Sequence, residues 1–587
     1  MNGAFVYDPL PEGHIRLLSV KGVNADGRVE YALESKEMTG SLRFYALSYV
    51  WASGTRSRVI LCNDREMAVT QSVYDVLAAS QGFPRDDWMP LWIDAICINQ
   101  HDNAEKGKAV GQMNVIYQRA TSVIVWLGNE ANDSKMAMDQ IENLAQATSL
   151  IPDPASTRIW DGDIPFLGLP PGTDPVWPAL GHLYRRAWFG RLWVFQEAVL
   201  ATAARVVCGD RAADFEALCQ LGKWINEAQM HSLVWSGGAI HREVNGLAAV
   251  NEIILARYFM KVVRYIFFSS LLHLSQNRRC TEPRDRAYGM LSLTSEEFRS
   301  KVNISYERDL NSLWIEIGKA CLEQDQALAY LQIEGGRGKT PGLPSWCTNL
   351  ESSPTDAVPY GDHGWAGVRY DEPEAVARIQ TFSDRHTLEL VGFRADRVDH
   401  VVPPCDMFPD GCPPVDDAAL HDWLEQCLQA AHSNLKSDPG KNQPPLAHIY
   451  AVTGSITQQT PDSAALRQAY EAFHQVLATR GRRTGEPPSS YPAEYLPIYA
   501  RILGMMVSSC RGRPYLTTTG NRLGIGPRGA MPGDIVVVAY GVRPVYLLRE
   551  IPGSSALQFV GTAFVDGLME LSKTPAELIR EETFCIE

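Results

Sequence analysis

At 587 residues the chain exceeds the roughly 250–300 residues at which a single hydrophobic core stops growing, so two or three domains are expected. Hydrophobic residues make up 45% and charged residues 21%, which excludes wholesale disorder. A formal charge of −14 argues against a dedicated nucleic-acid binder, because neutralising phosphates requires a basic face.

The amino terminus, MNGAFVYDPLPEGHIRLL, has no basic stretch followed by an apolar run, so no secretory signal is expected and the chain is placed in the cytoplasm. Four short apolar runs follow: YALSYVW (45–51), VILCN (59–63), LWIDAICINQ (91–100) and SVIVWLGNE (122–130). The first and the last two are near-continuous hydrophobic runs that end in polar and aromatic residues, as buried parallel strands covered by helices on both faces read. RSRVILCN, DR and EMAVT read as a β-hairpin, with an amphipathic helix over 71–80. The strand at 91–98 leads into a helix for which Asp102 is the expected N-cap and Glu105 the partner of a capping box. Val110, Met113, Ile116 and Tyr117 share one face of that helix. A further helix is expected over 133–149.

Residues 151–178 are rich in Pro, Gly and Asp and read as a surface loop or lid. LYRRAWFGRLWVFQEAVLA (183–201) spaces Trp188, Leu192, Phe195 and Val199 for a buried helix, and RVVCG follows as a strand. A helical stretch runs from 214 to 331. Within it YFMKVVRYIFFSSLLHL (258–274) is too short for a bilayer span and carries Lys261 and Arg264, so a buried helix is expected. IVVVAYG, RPVYLLRE and LQFVGTAFVDG read as an antiparallel meander within 515–570. The twelve cysteines include no CxxC pair, and Cys97 with His101 has no second ligand pair nearby, so reduced thiols and no metal are expected. GIGPRG (524–529) mimics a dinucleotide motif, but Pro527 follows where a helix should start, so it reads as a turn. GGRGKT (335–340) lacks the first glycine of a P-loop, and Pro341 blocks its helix.

In an open α/β sheet, ligands bind outside the carboxyl ends of the strands. That rule gathers Tyr49, Trp51, Asp94, Cys97, Asn99, Gln100, Trp126 and Glu130 on one rim. Cys97 is a nucleophile only if a base stands beside it, and a buried structural thiol is the commoner case. Trp92, Trp188 and Trp193 enrich the same region in aromatics, with core packing the default for most of them.

YALSYVW, LWIDAICINQ with DNAEKGKAVGQMNVIYQRA, VIVWLG and RLWVFQEAVLA together resemble the heterokaryon-incompatibility (HET) domain of filamentous fungi. FVYDPLPEGHIRLL, CTEPRDRAYGMLSL, LPSWCTNL and TTTGNRLGIGPRGAMPGD extend the resemblance over nearly the whole chain. It implies an α/β, parallel-sheet, Toll/interleukin-receptor-like HET domain over 1–210. A helical region over 211–350 and a C-terminal antiparallel β-rich region over 351–587 complete the expected organisation. The implied function is nonself recognition and cell death, and in related domains NAD cleavage. Carried onto this sequence, the motif's polar groups are Tyr49, Trp51, Asp94, Cys97, Asn99, Gln100, Gln196 and Glu197. The chain departs from the pattern at Ala52, where the family usually has Gly.

Glu197 and Asp94 are the candidate catalytic carboxylates, Glu197 because an aromatic setting raises a carboxyl pKa and makes it a proton donor. Against this, Glu197 pairs with Arg186 or Arg191 as a structural residue, and Asp94 holds its loop. Three functions remain open: an incompatibility regulator with a fungal protein partner, a cofactor-independent cyclase or pericyclase such as a Diels–Alderase of secondary metabolism, and an NAD glycohydrolase whose substrate is NAD. None needs a bound cofactor.

Overall fold

The computed structural model describes residues 4–24, 27–51, 55–79, 89–151, 167–228, 230–234, 246–324, 329–333, 340–351, 379–380, 387–405, 417–436, 444–454, 463–480, 502–506, 509–540, 544–569 and 580–587. Ala52, the GGRGKT glycines and most of the 151–178 loop lie outside them. By its contacts the chain divides into two compact units, Met1–Arg308 and Asp309–Glu587.

The first unit is built on β1 (His14–Val23), β2 (Val29–Glu37), β3 (Tyr45–Ser48), β4 (Arg58–Cys62), β5 (Arg65–Val69), β6 (Leu91–Trp92), β7 (Ser122–Trp126), β8 (Ala204–Cys208) and β9 (Arg211–Asp214). They pair in the order β5-β4-β2-β1-β6-β3-β7-β8-β9. Only the central strands β6, β3, β7 and β8, and the β2/β4 pair, run parallel. The expected parallel sheet is therefore mixed. The β1/β2 hairpin joins β6 antiparallel, and the β8/β9 hairpin closes the other edge. The hairpin expected from RSRVILCN, DR and EMAVT forms over Arg58–Val69, with its turn at Asn63 and Asp64, one residue earlier than the expected Asp64 and Arg65. Asn63 and Asp64 have positive φ, as a two-residue turn matched to strand twist requires.

Around this sheet lie α1 (Gln71–Ala79), α2 (Asp94–Cys97), α3 (Asn103–Arg119), α4 (Ser134–Ser149), α5 (Val176–Tyr184), α6 (Trp193–Leu200) and α7 (Phe215–Glu227). They are followed by α8 (His231–Val234), α9 (Gly246–Val262), α10 (Phe268–Leu274), α11 (Asp285–Leu291) and α12 (Glu296–Ser300), the helical middle of the chain. Helix α3 buries Val110, Met113, Ile116 and Tyr117 and starts at Asp102, whose carboxylate accepts from the amides of Ala104 and Glu105. Glu105 does not complete a capping box. Its carboxylate accepts from the Asn99 amide at 2.7 Å and pairs with buried Arg16 at 2.6 Å. Competition from a buried guanidinium outweighs the local bond.

Three expected elements are shorter in the structure. The strand at 91 pairs for two residues only, because the Asp94 carboxylate takes the Ala95 amide and starts the helical turn α2. Residues 183–201 are not one helix. Arg186 and Arg191 are extended on either side of a 3₁₀ turn at Ala187–Gly190, which lets their charged heads reach backbone carbonyls instead of entering the core. Residues 258–274 split between α9 and α10 at Arg264, which has φ 75°, and Tyr258, Val262, Val263 and Phe267 are exposed. Among the described residues no helix is long and apolar enough to cross a membrane.

The second unit contains α13 (Leu310–Gln324), β10 (Ile379–Gln380), β11 (Leu388–Val402), α14 (Asp417–Leu435), α15 (Leu446–Thr453) and α16 (Ser463–Arg480). After them come β12 (Tyr515–Thr518), β13 (Leu523–Ile525), β14 (Ile535–Ala539), β15 (Val545–Glu550), β16 (Leu557–Val565) and β17 (Glu582–Ile586). The expected antiparallel meander of β14, β15 and β16 is present. Closure goes beyond it. Strand β11 pairs with β17 over Leu388–Gly392, with β14 over Gly392–Arg397 and with β12 over Val398–Val402, joining the two ends of the path β12-β13-β16-β15-β14 into a barrel. Bulges between Arg394 and Asp396 and between Val398 and His400 bend β11 enough to serve both neighbours. Gly392 is required there: a Cβ would lie 2.2 Å from the Val538 carbonyl oxygen. Helices α14, α15 and α16 bury Leu420, Trp423, Leu424, Ile449, Tyr470 and Phe473 in one core with the barrel strands.

Candidate functional site

The carboxyl end of β3 carries Ser48 and Tyr49, both fully buried, and then half-buried Trp51. The Trp51 indole N–H donates to both oxygens of Asp94, at 3.1 and 3.3 Å, tying the end of β3 to α2. Asp94 also accepts from the Ala95 amide at 2.7 Å, while its carbonyl accepts from the Gln100 side chain at 2.9 Å. Arg191 donates to the Tyr49 carbonyl, and its guanidinium lies 5.5 Å from the Trp51 ring and 6.0 Å from the Tyr49 ring. The Trp188 indole donates to the Ser48 hydroxyl at 2.9 Å, which fastens the 3₁₀ turn to the same strand end.

Glu197, on α6, is 1% exposed. Burial pushes its carboxyl up to about 7 and the Asp94 charge pushes the same way, while Arg191, Ser48 and Tyr117 favour the ionised form. One of its oxygens has no hydrogen-bond partner among the described residues. Burial likewise raises Asp94, opposed first by Arg191 and then by its amide and side-chain donors. Both buried acids thus lie in the field of Arg191, which holds back the rise that burial imposes on each. At neutral pH Glu197 stands near its midpoint, able to give or take a proton.

The structure brings Tyr49, Trp51, Asp94, Gln100 and Glu197 to this cluster and distributes the other candidates elsewhere. Gln196 is fully buried but turns to α3, donating to the Met113 sulfur at 3.6 Å. The Cys97 thiol accepts from the Ile93 amide and is pushed up to about 12 by burial, the state of an inert thiol. Asn99 serves its own loop, accepting from the His101 amide at 3.2 Å. Trp126 lines a separate cavity of about 320 Å³ with Asp75, Asn129, Gly209 and Arg211, beyond the carboxyl ends of β7 and β8. Glu130 is exposed, its backbone packed beside Gly209. Of the two arginines considered for Glu197, Arg186 instead donates to the carbonyls of Asn129 and Ala131, and Arg191 is the one whose charge acts on it.

Sequence reasoning missed Ser48 and Tyr117 as members of the cluster, and it named Trp188 only within the aromatic set for which core packing is the default. Ser48 sits inside YALSYVW and Trp188 a few residues before the RLWVFQE run, but only the packing of α3 and the 3₁₀ turn against β3 brings them together.

Residues 44–197 match the family described as heterokaryon incompatibility protein (HET), and residues 498–586 match the Het-6 beta-barrel domain. Across 96% of its length the chain is 24% identical to heterokaryon incompatibility protein 6, OR allele, of Neurospora crassa, covering 96% of that protein. No solved structure matches the chain.

Proposed function

We propose that this chain, a HET-domain protein that also carries a Het-6 β-barrel domain, acts in the cytoplasm in fungal nonself recognition, with the HET domain triggering cell death when an incompatible protein partner is sensed. The observation that carries this reading is the presence of both domains in one chain similar from end to end to a Neurospora incompatibility protein. The parallel core β6-β3-β7-β8 supports the finer reading of the HET fold as Toll/interleukin-receptor-like. Inducible expression in a filamentous-fungal host tests the proposal. Hyphal compartments should stop growing and take up a vital dye, and a Glu197→Gln chain at equal abundance should be much less toxic. Sustained growth with the intact chain well expressed would remove the reading.

A second reading, NAD cleavage, is favoured by one specific feature. Glu197 has one carboxylate oxygen unpartnered among the described residues, and as a carboxylate it would stabilise the oxocarbenium-like ribosyl cation left as neutral nicotinamide departs. Nicotinamide release from NAD by the purified chain should then fall on the order of 10²–10⁴-fold in Glu197→Gln. Neither the comparisons nor the cluster favours the pericyclase reading.

A further inference from the structure

The second unit carries a donor cluster unrelated to the HET-domain residues. His421 and Glu425 stand four residues apart on α14, so they project from the same face of the helix. Helix α16 packs against α14 and brings His474 to the same place. One ligand atom from each of the three lies within 4.8 Å of the others. His474 Nε2 is 3.1 Å from Glu425 Oε1, and His421 Nε2 is 4.0 Å from the same oxygen. The two imidazole rings are 5.3 Å apart, centroid to centroid.

We propose that His421, Glu425 and His474 bind a divalent transition-metal cation of the zinc type. Two imidazoles and one carboxylate are a donor set suited to zinc, with bonds of about 2.0–2.2 Å, and a tetrahedral ion spaces such ligand atoms roughly 3.3 Å apart. The two measured separations bracket that value, so small side-chain rotations complete the set. Two further features point to a ligand rather than to a plain ion pair. His474 Nε2 is buried from solvent and lies 3.1 Å from a Glu425 oxygen, yet it makes no hydrogen bond among the described residues. Asp422 lies 3.8 Å from His421 Nδ1, the other ring nitrogen, too far to hydrogen-bond it but near enough to add negative charge beside the imidazole. Three protein donors leave a fourth position for water or for a donor from another molecule. The bound ion would tie α14 to α16 and so clamp the helices that pack on the barrel.

The test uses the full chain, stripped with chelator and titrated with zinc chloride by equilibrium dialysis. Cobalt(II) provides the spectroscopic probe. The intact chain should bind zinc at a site that is lost or at least about tenfold weaker in His421→Ala and in His474→Ala. Cobalt should give visible ligand-field bands without thiolate charge transfer, and these should vanish in the same variants. Zinc should raise the thermal midpoint of the intact chain more than that of the variants. Should either alanine variant fail to fold, as judged by circular dichroism, His421→Asn and His474→Gln replace them, since both keep a polar side chain of similar length. Equal zinc affinity in the intact chain and the folded variants overturns the proposal. So do cobalt bands of thiolate type that persist in the variants.

Discussion

Glu197 sets a pH dependence in the stability of the first unit. Its carboxyl rises from the ordinary 4.5 to about 7 on folding, because burial penalises the charge. The folded chain therefore holds a proton that the unfolded chain releases, and Glu197 costs no stability below about pH 4.5. The penalty grows as pH rises from there and is complete above about 7, where at roughly 1.4 kcal/mol per pH unit it amounts to about 3 kcal/mol. Glu197→Gln removes the charge, so its denaturant stability should change less than that of the intact chain between pH 5 and 7.5, and the variant should be the more stable of the two at the upper end. Equal slopes for both proteins would show that Glu197 does not change its ionisation on folding. Asp94 shifts in the same direction and is coupled to Glu197, so the difference between the two proteins reports the pair rather than Glu197 alone. At this scale the sequence identified the two carboxylates and Trp51. It left open which arginine faces Glu197, because Arg186 and Arg191 are both within reach along the chain. The extended backbone on either side of the 3₁₀ turn makes that choice.

Helix α3 shows how far local pattern carries an element. Asp102, the apolar face at Val110, Met113, Ile116 and Tyr117, and the end near Ala120 are all legible in the sequence, because capping and periodicity are short-range effects. Glu105 was not, since its partner Arg16 lies 89 positions away. The two residues should accordingly respond differently to substitution. Asp102→Ala loses an exposed cap and should cost about 1 kcal/mol. Glu105→Ala leaves the Arg16 guanidinium, 5% exposed, without its carboxylate and should cost about 3 kcal/mol or more in urea unfolding. A larger loss for Asp102→Ala would mean that the Arg16 pair contributes little. The run at 183–201 shows the converse. Its apolar spacing suits a helix, yet its arginines find backbone partners only if the chain extends twice, and no periodicity analysis includes those partners.

At the scale of the molecule, each of the two units encloses buried apolar residues of its own. Gly181, on α5, faces α8 so closely that a Cβ would lie 1.9 Å from the Val234 carbonyl oxygen. Gly181→Ala should destabilise the first unit by about 1–3 kcal/mol through overpacking. Scanning calorimetry should then show the lost stability in one component of the unfolding, with a calorimetric enthalpy above the van't Hoff value for the whole chain. A single two-state transition that shifts as a whole would contradict it. The sequence by itself determined the α/β character of the amino-terminal part, the helical middle, the antiparallel strands near the carboxyl end and the motif residues, because each is written in neighbouring side chains. Only the tertiary structure decided that the first sheet is mixed, that β11 closes a barrel, that Trp126 leaves the Asp94 and Glu197 cluster, and that His474 meets His421 and Glu425. Those outcomes rest on pairings between segments distant in the chain, where register, close backbone approach and competition for buried charge outweigh local preference.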